Sequence, residues 1–175
     1  MKKTNALRIL DQQKIQYETL EYSYDSENLD VAKIATDNGI PLETIYKTLV
    51  LNGDKSGTIM AVVAGDRQVS LKKVAMASVN KKVEMAAVKD LQQLTGYVRG
   101  GCSPLGTKKA FPIYFDLSAQ NRDKIYVNAG ARGLLFSCTP QDLVTVCNAE
   151  WDDISEKLIT FQLKFNNKYI PKAFM

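Results

Sequence analysis

The chain has 175 residues, the length of one ordinary domain, and its 45% apolar and 24% charged composition suits a globule with a sizeable core. It contains no histidine and carries a net charge of +4. Histidine general bases, Ser-His-Asp and Cys-His arrangements and histidine-ligated zinc are therefore excluded, leaving lysine, carboxylates, backbone dipoles or the substrate itself for any catalysis.

Thr4 is placed to cap a first helix that turns Ala6, Leu7 and Leu10 to one face and Arg8, Asp11 and Gln12 to the other. Gln16 to Tyr24 alternates enough to be a strand. A second helix starts near Asp30, buries Val31, Ile34 and Ala35, and ends at Gly39 as a left-handed cap; Pro41 suits a further helical first turn. Thr48–Leu51 and Thr58–Ala64 read as a hairpin whose loop is longer than two residues. Ser70 opens a helix through Leu71, Val74 and Ala75, and Val88, Leu91 and Leu94 mark another that stops at Gly96. Ile113–Leu117, Ile125–Asn128 and Leu134–Cys138 are strand candidates. Thr139-Pro140 is a cap followed by a proline at the first helical position, introducing Leu143, Val144 and Val146. Phe161, Leu163 and Phe165 alternate like a strand, but the surrounding Lys164, Asn166, Asn167 and Lys168 fit a surface arm or dimer contact equally well. Hairpins mixed with helices predict a mixed α/β domain with a mixed or antiparallel, barrel-like sheet and helices outside it. No repeat or low-complexity linker divides the chain.

Cys102, Cys138 and Cys147 include no Cys-x-x-Cys pair, which argues against a zinc ribbon or disulfide framework and fits a reducing, cytoplasmic setting. Polar residues interrupt the start of the chain, so a soluble, unprocessed protein is expected. Charge is uneven: residues 1–66 carry −3, residues 67–109 carry +7 and residues 110–175 carry 0. The middle segment holds Lys72-Lys73, Lys81-Lys82 and Lys108-Lys109, with Arg67, Lys89 and Arg99 around them. Such clusters serve either a polyanion partner or a solvated face. Tyr97 beside Arg99 is compatible with stacking on a nucleic-acid end.

The densest glycine cluster runs from Gly96 to Gly106. Thr107 precedes Lys108 after its last glycine and Pro104 removes a donor, which rejects a phosphate-cradling P-loop. What remains is a tight loop, serving either as a plain turn or as bare backbone close to a ligand. Asn128 to Gly133 is a hairpin loop that would form the opposite wall of a pocket if its strands flank the first loop. Lys47 stands where a helical turn becomes a strand, either as an exposed lysine or as a charge projected into a pocket mouth. Cys102 has no histidine to activate it as a nucleophile.

Several segments together resemble the YbaK family, free-standing relatives of the editing domain of bacterial prolyl-tRNA synthetase. They are Ile45–Val50, Leu71–Ala75, Lys81–Ala86, Thr95-Gly96-Tyr97, Gly100–Gly106, Ile125-Tyr126-Val127 and Gly130–Gly133, in order and at similar spacing over about residues 4–150. The resemblance implies an editing domain over 1–150, with 151–175 as an extension packed on it or at an interface. It implies hydrolysis of mischarged tRNA, typically Cys-tRNA(Pro), by attack of the substrate's own thiol, with no cofactor, metal, membrane or DNA involved. Lys47 matches the family's functional lysine, and Gly100 and Pro104 match its Gly-x-x-x-Pro substrate loop, which here encloses Gly101, Cys102 and Ser103. Tyr22 falls near an aromatic pocket position, with Asn128 and Gly130 on the other wall. Lys72, Lys73, Lys81, Lys82, Arg99 and Lys108 would receive the tRNA acceptor end, with prolyl-tRNA synthetase as a candidate partner. The family's common serine is replaced at Asn128 and its frequent acidic residue at Leu135, so alanyl or another small aminoacyl group stays open as substrate. A non-catalytic tRNA- or synthetase-binding module is the alternative from a different class.

Overall fold

The computed structural model describes residues 3–158, so the proposed strand around Phe161–Phe165 lies outside the described residues. Local signals set most helices. Thr4 accepts the Leu7 N–H at the start of α1 (Asn5–Gln12), which buries Ala6, Leu7 and Leu10. Asp30 caps α2 (Val31–Asn38), which ends on left-handed Gly39; of its three expected core residues only Ala35 is fully buried. Ser70 caps α3 (Leu71–Ala77). The next segment begins as a 3-10 turn at Val88–Asp90 and becomes α4 (Leu91–Thr95), ending at Gly96. Thr139 and Pro140 start α5 (Pro140–Val146) as anticipated.

Ten strands complete the described residues: β1 (Glu18–Glu21), β2 (Ile45–Gly53), β3 (Gly57–Ala64), β4 (Arg67–Val69), β5 (Val83–Met85), β6 (Ile113–Asp116), β7 (Ile125–Ala131), β8 (Leu134–Cys138), β9 (Glu150–Asp152) and β10 (Ser155–Lys157). Seven follow the order β1-β8-β7-β2-β3-β6-β9, and β5 adds to β2 as an eighth. The sheet is mixed: β2 with β3, β7 with β8 and β1 with β8 are antiparallel, whereas β2 with β7, β3 with β6 and β6 with β9 are parallel. Residues alternate between its two faces. Tyr46, Val50, Met60 and Phe115 join a core with α1, α5 and Phe136, while Leu51, Ile59 and Val63 join a second core with Val74 of α3.

One edge of β2 is shared, and this creates the site. Its start pairs with β7 through Ile45↔Tyr126 and Tyr46↔Val127, and its end pairs with β5 from Leu51↔Met85 onward. Between them β7 and β5 diverge, leaving a gap beside Lys47, Thr48 and Leu49. β7 bends away at a bulge between Asn128 and Ala131, the usual device for re-aiming a strand.

The segment after residue 150 continues the domain through its described part. β9 spans Glu150–Asp152 and pairs with β6, and β10 forms a separate two-stranded ladder with β4. Between them Ile154 is fully buried in the second core, and its N–H donates to Asp116. Truncating Ile154 to alanine should cost about 2–5 kcal/mol in denaturant unfolding; an unchanged midpoint would mean that this segment contributes nothing to the core.

Candidate active site

The gap beside β2 opens into a cavity of about 370 Å³. Lys47, Tyr22, Gly100, Cys102, Asn128 and Arg99 line it, within mainly aliphatic walls that include Leu29, Val50, Ala86 and Leu135. Residues from β1's end, β2, the Gly96–Gly106 loop and β7 are thus brought together from positions 22, 47, 100 and 128. Asn128 and Leu135, the two departures from the family pattern, are cross-strand partners in β7 and β8 and both face this cavity.

Asn128 joins the two glycine-bearing loops. Its amide donates to the carbonyls of Gly100 (2.9 Å) and Ala131 (3.1 Å), and its oxygen accepts the N–H groups of Gly130 (2.7 Å) and Ala131 (3.1 Å). Arg132 adds a second brace by donating to the Arg99 carbonyl at 2.8 Å. The side chain of Asn128 is therefore occupied in holding loops while it forms part of the cavity wall. Gly130 lies behind that wall at φ +97°, where a Cβ would stand 2.7 Å from the Tyr97 ring. Gly100, at φ +80°, carries Leu29 so closely that a Cβ would stand 2.8 Å from its methyl group.

Four of the anticipated loop residues support the cavity without lining it. Gly101 spends its N–H on the Val98 carbonyl, so it serves as a turn residue and offers no donor to a ligand there. Ser103 is fully buried and accepts the Leu105 N–H, Pro104 is buried behind it, and Gly130 packs on Tyr97. Tyr97 is buried and donates its hydroxyl to the Leu105 carbonyl at 2.7 Å, which removes it as a stacking platform for nucleic acid.

The basic residues divide by position. Arg99 reaches the cavity, and Lys108 lies exposed along Gly96. Lys73 is held by Asp153 and the Ser155 carbonyl, and Lys82 pairs with Glu84. Lys72 is exposed on α3. Lys81 and Lys82 stand by the far end of β2, about 20 Å along the strand from Lys47 at ~3.3 Å per residue.

Lys47 is half-buried and donates to the Arg67 carbonyl at 3.0 Å. Burial lowers its pKa from 10.5 to about 8, against the opposing charge of Asp66. It remains mainly protonated at neutral pH, a cation kept in poorly hydrated surroundings. Cys102 shows the opposite condition for a nucleophile: burial pushes its thiol up to about 11, and its Sγ donates to the Val98 carbonyl at 3.6 Å. Burial also raises the Tyr22 phenol. Two polar atoms of cavity residues are buried without a hydrogen-bond partner among the described residues: Nε of the anticipated Arg99, and Oγ1 of Thr48, which no motif singles out. Such atoms carry a desolvation cost that a polar ligand would relieve.

Because folding depresses the pKa of Lys47, the unfolded chain holds more protons between pH 8 and 10.5, and this residue's contribution to stability rises with pH across that window. Lys47→Met should therefore melt higher than wild type at pH 7, with the difference shrinking as pH approaches 10. A lower melting temperature at pH 7 would show that the buried ammonium stabilises the fold.

The model of the aminoacyl-tRNA editing domain matches residues 26–146. A relative from Enterococcus faecalis, named "Putative Cys-tRNA(Pro)/Cys-tRNA(Cys) deacylase EbsC", is 43% identical over 89% of this chain and 94% of its own length. Proline--tRNA ligase of Thermosipho africanus is 30% identical over 52% of this chain, which corresponds to 16% of that enzyme. A solved structure described as "a putative trans-editing enzyme for prolyl tRNA synthetase" superposes with a TM-score of 0.75 at 23% identity, covering 89% of this chain and 99% of that one, a likeness of fold. The family model over residues 26–146 and the 43% identical relative show it, and the likeness of fold agrees: the chain belongs to the aminoacyl-tRNA editing domain family.

Proposed function

We propose that this protein is a deacylase that hydrolyses the ester of mischarged tRNA, with Cys-tRNA(Pro) as its first substrate. The observation that carries the reading is the pairing of a cationic cavity with a cysteine thiol that burial keeps protonated. Lys47 and Arg99 supply positive charge, while Cys102 stays a protonated thiol and the chain has no histidine to activate it. A terminal aminoacyl-adenosine brings both the phosphate that cations hold and, when the amino acid is cysteine, its own nucleophile.

In this mechanism the cysteinyl thiol attacks its ester carbonyl. A C–S bond forms, the bond to the ribose oxygen breaks, and the thiol proton passes to that oxygen; water then opens the thiolactone to free cysteine. The protein's part is placement, which can supply much of the acceleration when the reacting groups already belong to one molecule. Lys47 holds the terminal phosphate or the ester carbonyl, Arg99 supplies charge to phosphate oxygens from the cavity wall, and Thr48 offers its hydroxyl to the aminoacyl group. Tyr22, Gly100, Cys102 and Asn128 close around that group, with Gly101, Ser103, Pro104 and Gly130 supporting them from behind. Outside the cavity, Lys108 and Lys72 are the exposed cations best free to meet the acceptor stem, with Lys81 and Lys82 as outlying contacts. The EbsC name, which includes Cys-tRNA(Pro), supports the choice of cysteine, and the match to prolyl-tRNA synthetase supports that enzyme as a partner in the cytoplasm.

Deacylation of a panel of mischarged tRNAs tests the reading. Cys-tRNA(Pro) should be turned over fastest, and Lys47→Ala should lower its turnover about 100-fold, the usual effect of removing one electrostatic contact to a reacting carbonyl. Cys102→Ser should retain turnover; its complete loss would instead argue for a protein thiol nucleophile. Binding of every tRNA with hydrolysis of none would replace the enzyme with a binding module. The kcat should also fall as pH passes about 8 and Lys47 loses its charge.

A further inference from the structure

We infer that β10, which lies beyond the matched family region, is a positioning element for Lys47, acting through the backbone carbonyl of Arg67. The inference rests on Lys47 being the functional cation described above. Lys47 donates to that carbonyl at 3.0 Å. Arg67 opens β4, a strand of three residues that joins no other strand than β10 among the described residues. So short a ladder has little stability of its own, and the placement of the carbonyl depends on what holds β4 and β10 together.

The ladder register aims the carbonyl. Ser70 donates to the Ile154 carbonyl at 2.8 Å while the Ile154 N–H goes to Asp116, so Ser70 and Ile154 hold the place of a hydrogen-bonded pair at the end of the antiparallel ladder with one of its two bonds made. Pairs alternate in such a ladder. Gln68 with Glu156 is therefore the next bonded pair, and Arg67 with Lys157 a non-bonded one. The Arg67 carbonyl consequently turns away from β10, toward the side from which Lys47 donates.

Side chains lock the same register. The Arg67 guanidinium donates through Nε to Ser155 Oγ at 2.5 Å and lies 3.7 Å from the buried carboxylate of Asp116. Asp116 also accepts the Ile154 N–H at 3.1 Å. From α3, Lys73 grips Asp153 and the Ser155 carbonyl. Arg67, Asp116 and Lys73, together with buried Ile154, thus hold a strand of three residues whose neighbour carries the acceptor for Lys47. The 26–146 match contains Arg67 and Asp116 but neither Ser155 nor any other residue of β10.

Proline at an exposed β10 position separates this role from general packing. Glu156→Pro removes the N–H of the bonded pair without touching the core, whereas Lys157→Pro removes one that the ladder does not use. With Cys-tRNA(Pro) as substrate, Glu156→Pro should lower kcat about tenfold with KM little changed, since small misplacements of a catalytic contact can cost up to about 100-fold. Lys157→Pro should stay close to wild type. In a Lys47→Ala background, Glu156→Pro should cause no further loss. Arg67→Ala should repeat the loss of kcat and Arg67→Lys should restore most of it, with melting curves confirming folded protein; these two variants decide the matter if Glu156→Pro does not fold. Wild-type kcat in folded Glu156→Pro and Arg67→Ala overturns the inference, as does an equal additional loss in the Lys47→Ala background. Full activity of Lys47→Ala alone would instead remove the reading of Lys47 on which the inference rests.

Discussion

The site exists because one strand edge is divided between two partners. β2 cannot pair with β7 and β5 along the same residues, and where it passes from one to the other Lys47, Thr48 and Leu49 face an opening. A sheet normally satisfies its interior edges, so such an opening needs walls that do not collapse into it. The bulge in β7, the bonds made by Asn128 and the close approach of Gly100 to Leu29 provide them. The cavity is accordingly a property of the sheet's topology, lined by side chains from residues far apart in the chain.

That origin also explains the chemistry. A gap beside a central strand is poorly hydrated, which lowers the pKa of Lys47 and raises those of Cys102 and Tyr22. Desolvation disfavours each charged form, yet the ordinary values differ so much that only lysine is still ionised at neutral pH. The same environment therefore retains a cation and suppresses a thiolate. A substrate carrying its own nucleophile suits such a pocket better than one requiring an activated side chain.

Local features of the fold were legible in the sequence because their causes are local. Thr4, Ser70 and Thr139 announce helix starts by side chains that accept nearby N–H groups, and Gly39 and Gly96 announce ends by tolerating positive φ. Leu134–Cys138 was legible as a strand from its bounded apolar run. β9 and β10 were not, since three residues cannot display an alternation and their pairing partners are distant. In the site, Lys47 and the two glycine loops could be found by motif and resemblance. Its Arg67 partner could not, because the accepting atom is a carbonyl common to every residue. The compatibility of Tyr97 with stacking fails for a related reason: aromatic character is visible in sequence, but whether the ring faces solvent or two glycines depends on packing.

The parallel join of Ile45 and Tyr46 to Tyr126 and Val127 brings together segments about eighty residues apart. Contacts at such separation require a large loop to close before they contribute any stabilisation, so they form late and slowly compared with helices and hairpins. The β2–β3 pairing is local in sequence, but without β7 it presents Lys47 to open water. Only after β7 has arrived, bringing Asn128 to Gly100, does the ammonium acquire the enclosure that shifts its pKa. The onset of that shift during refolding is thus a marker of completed long-range folding, distinct from the earlier appearance of secondary structure.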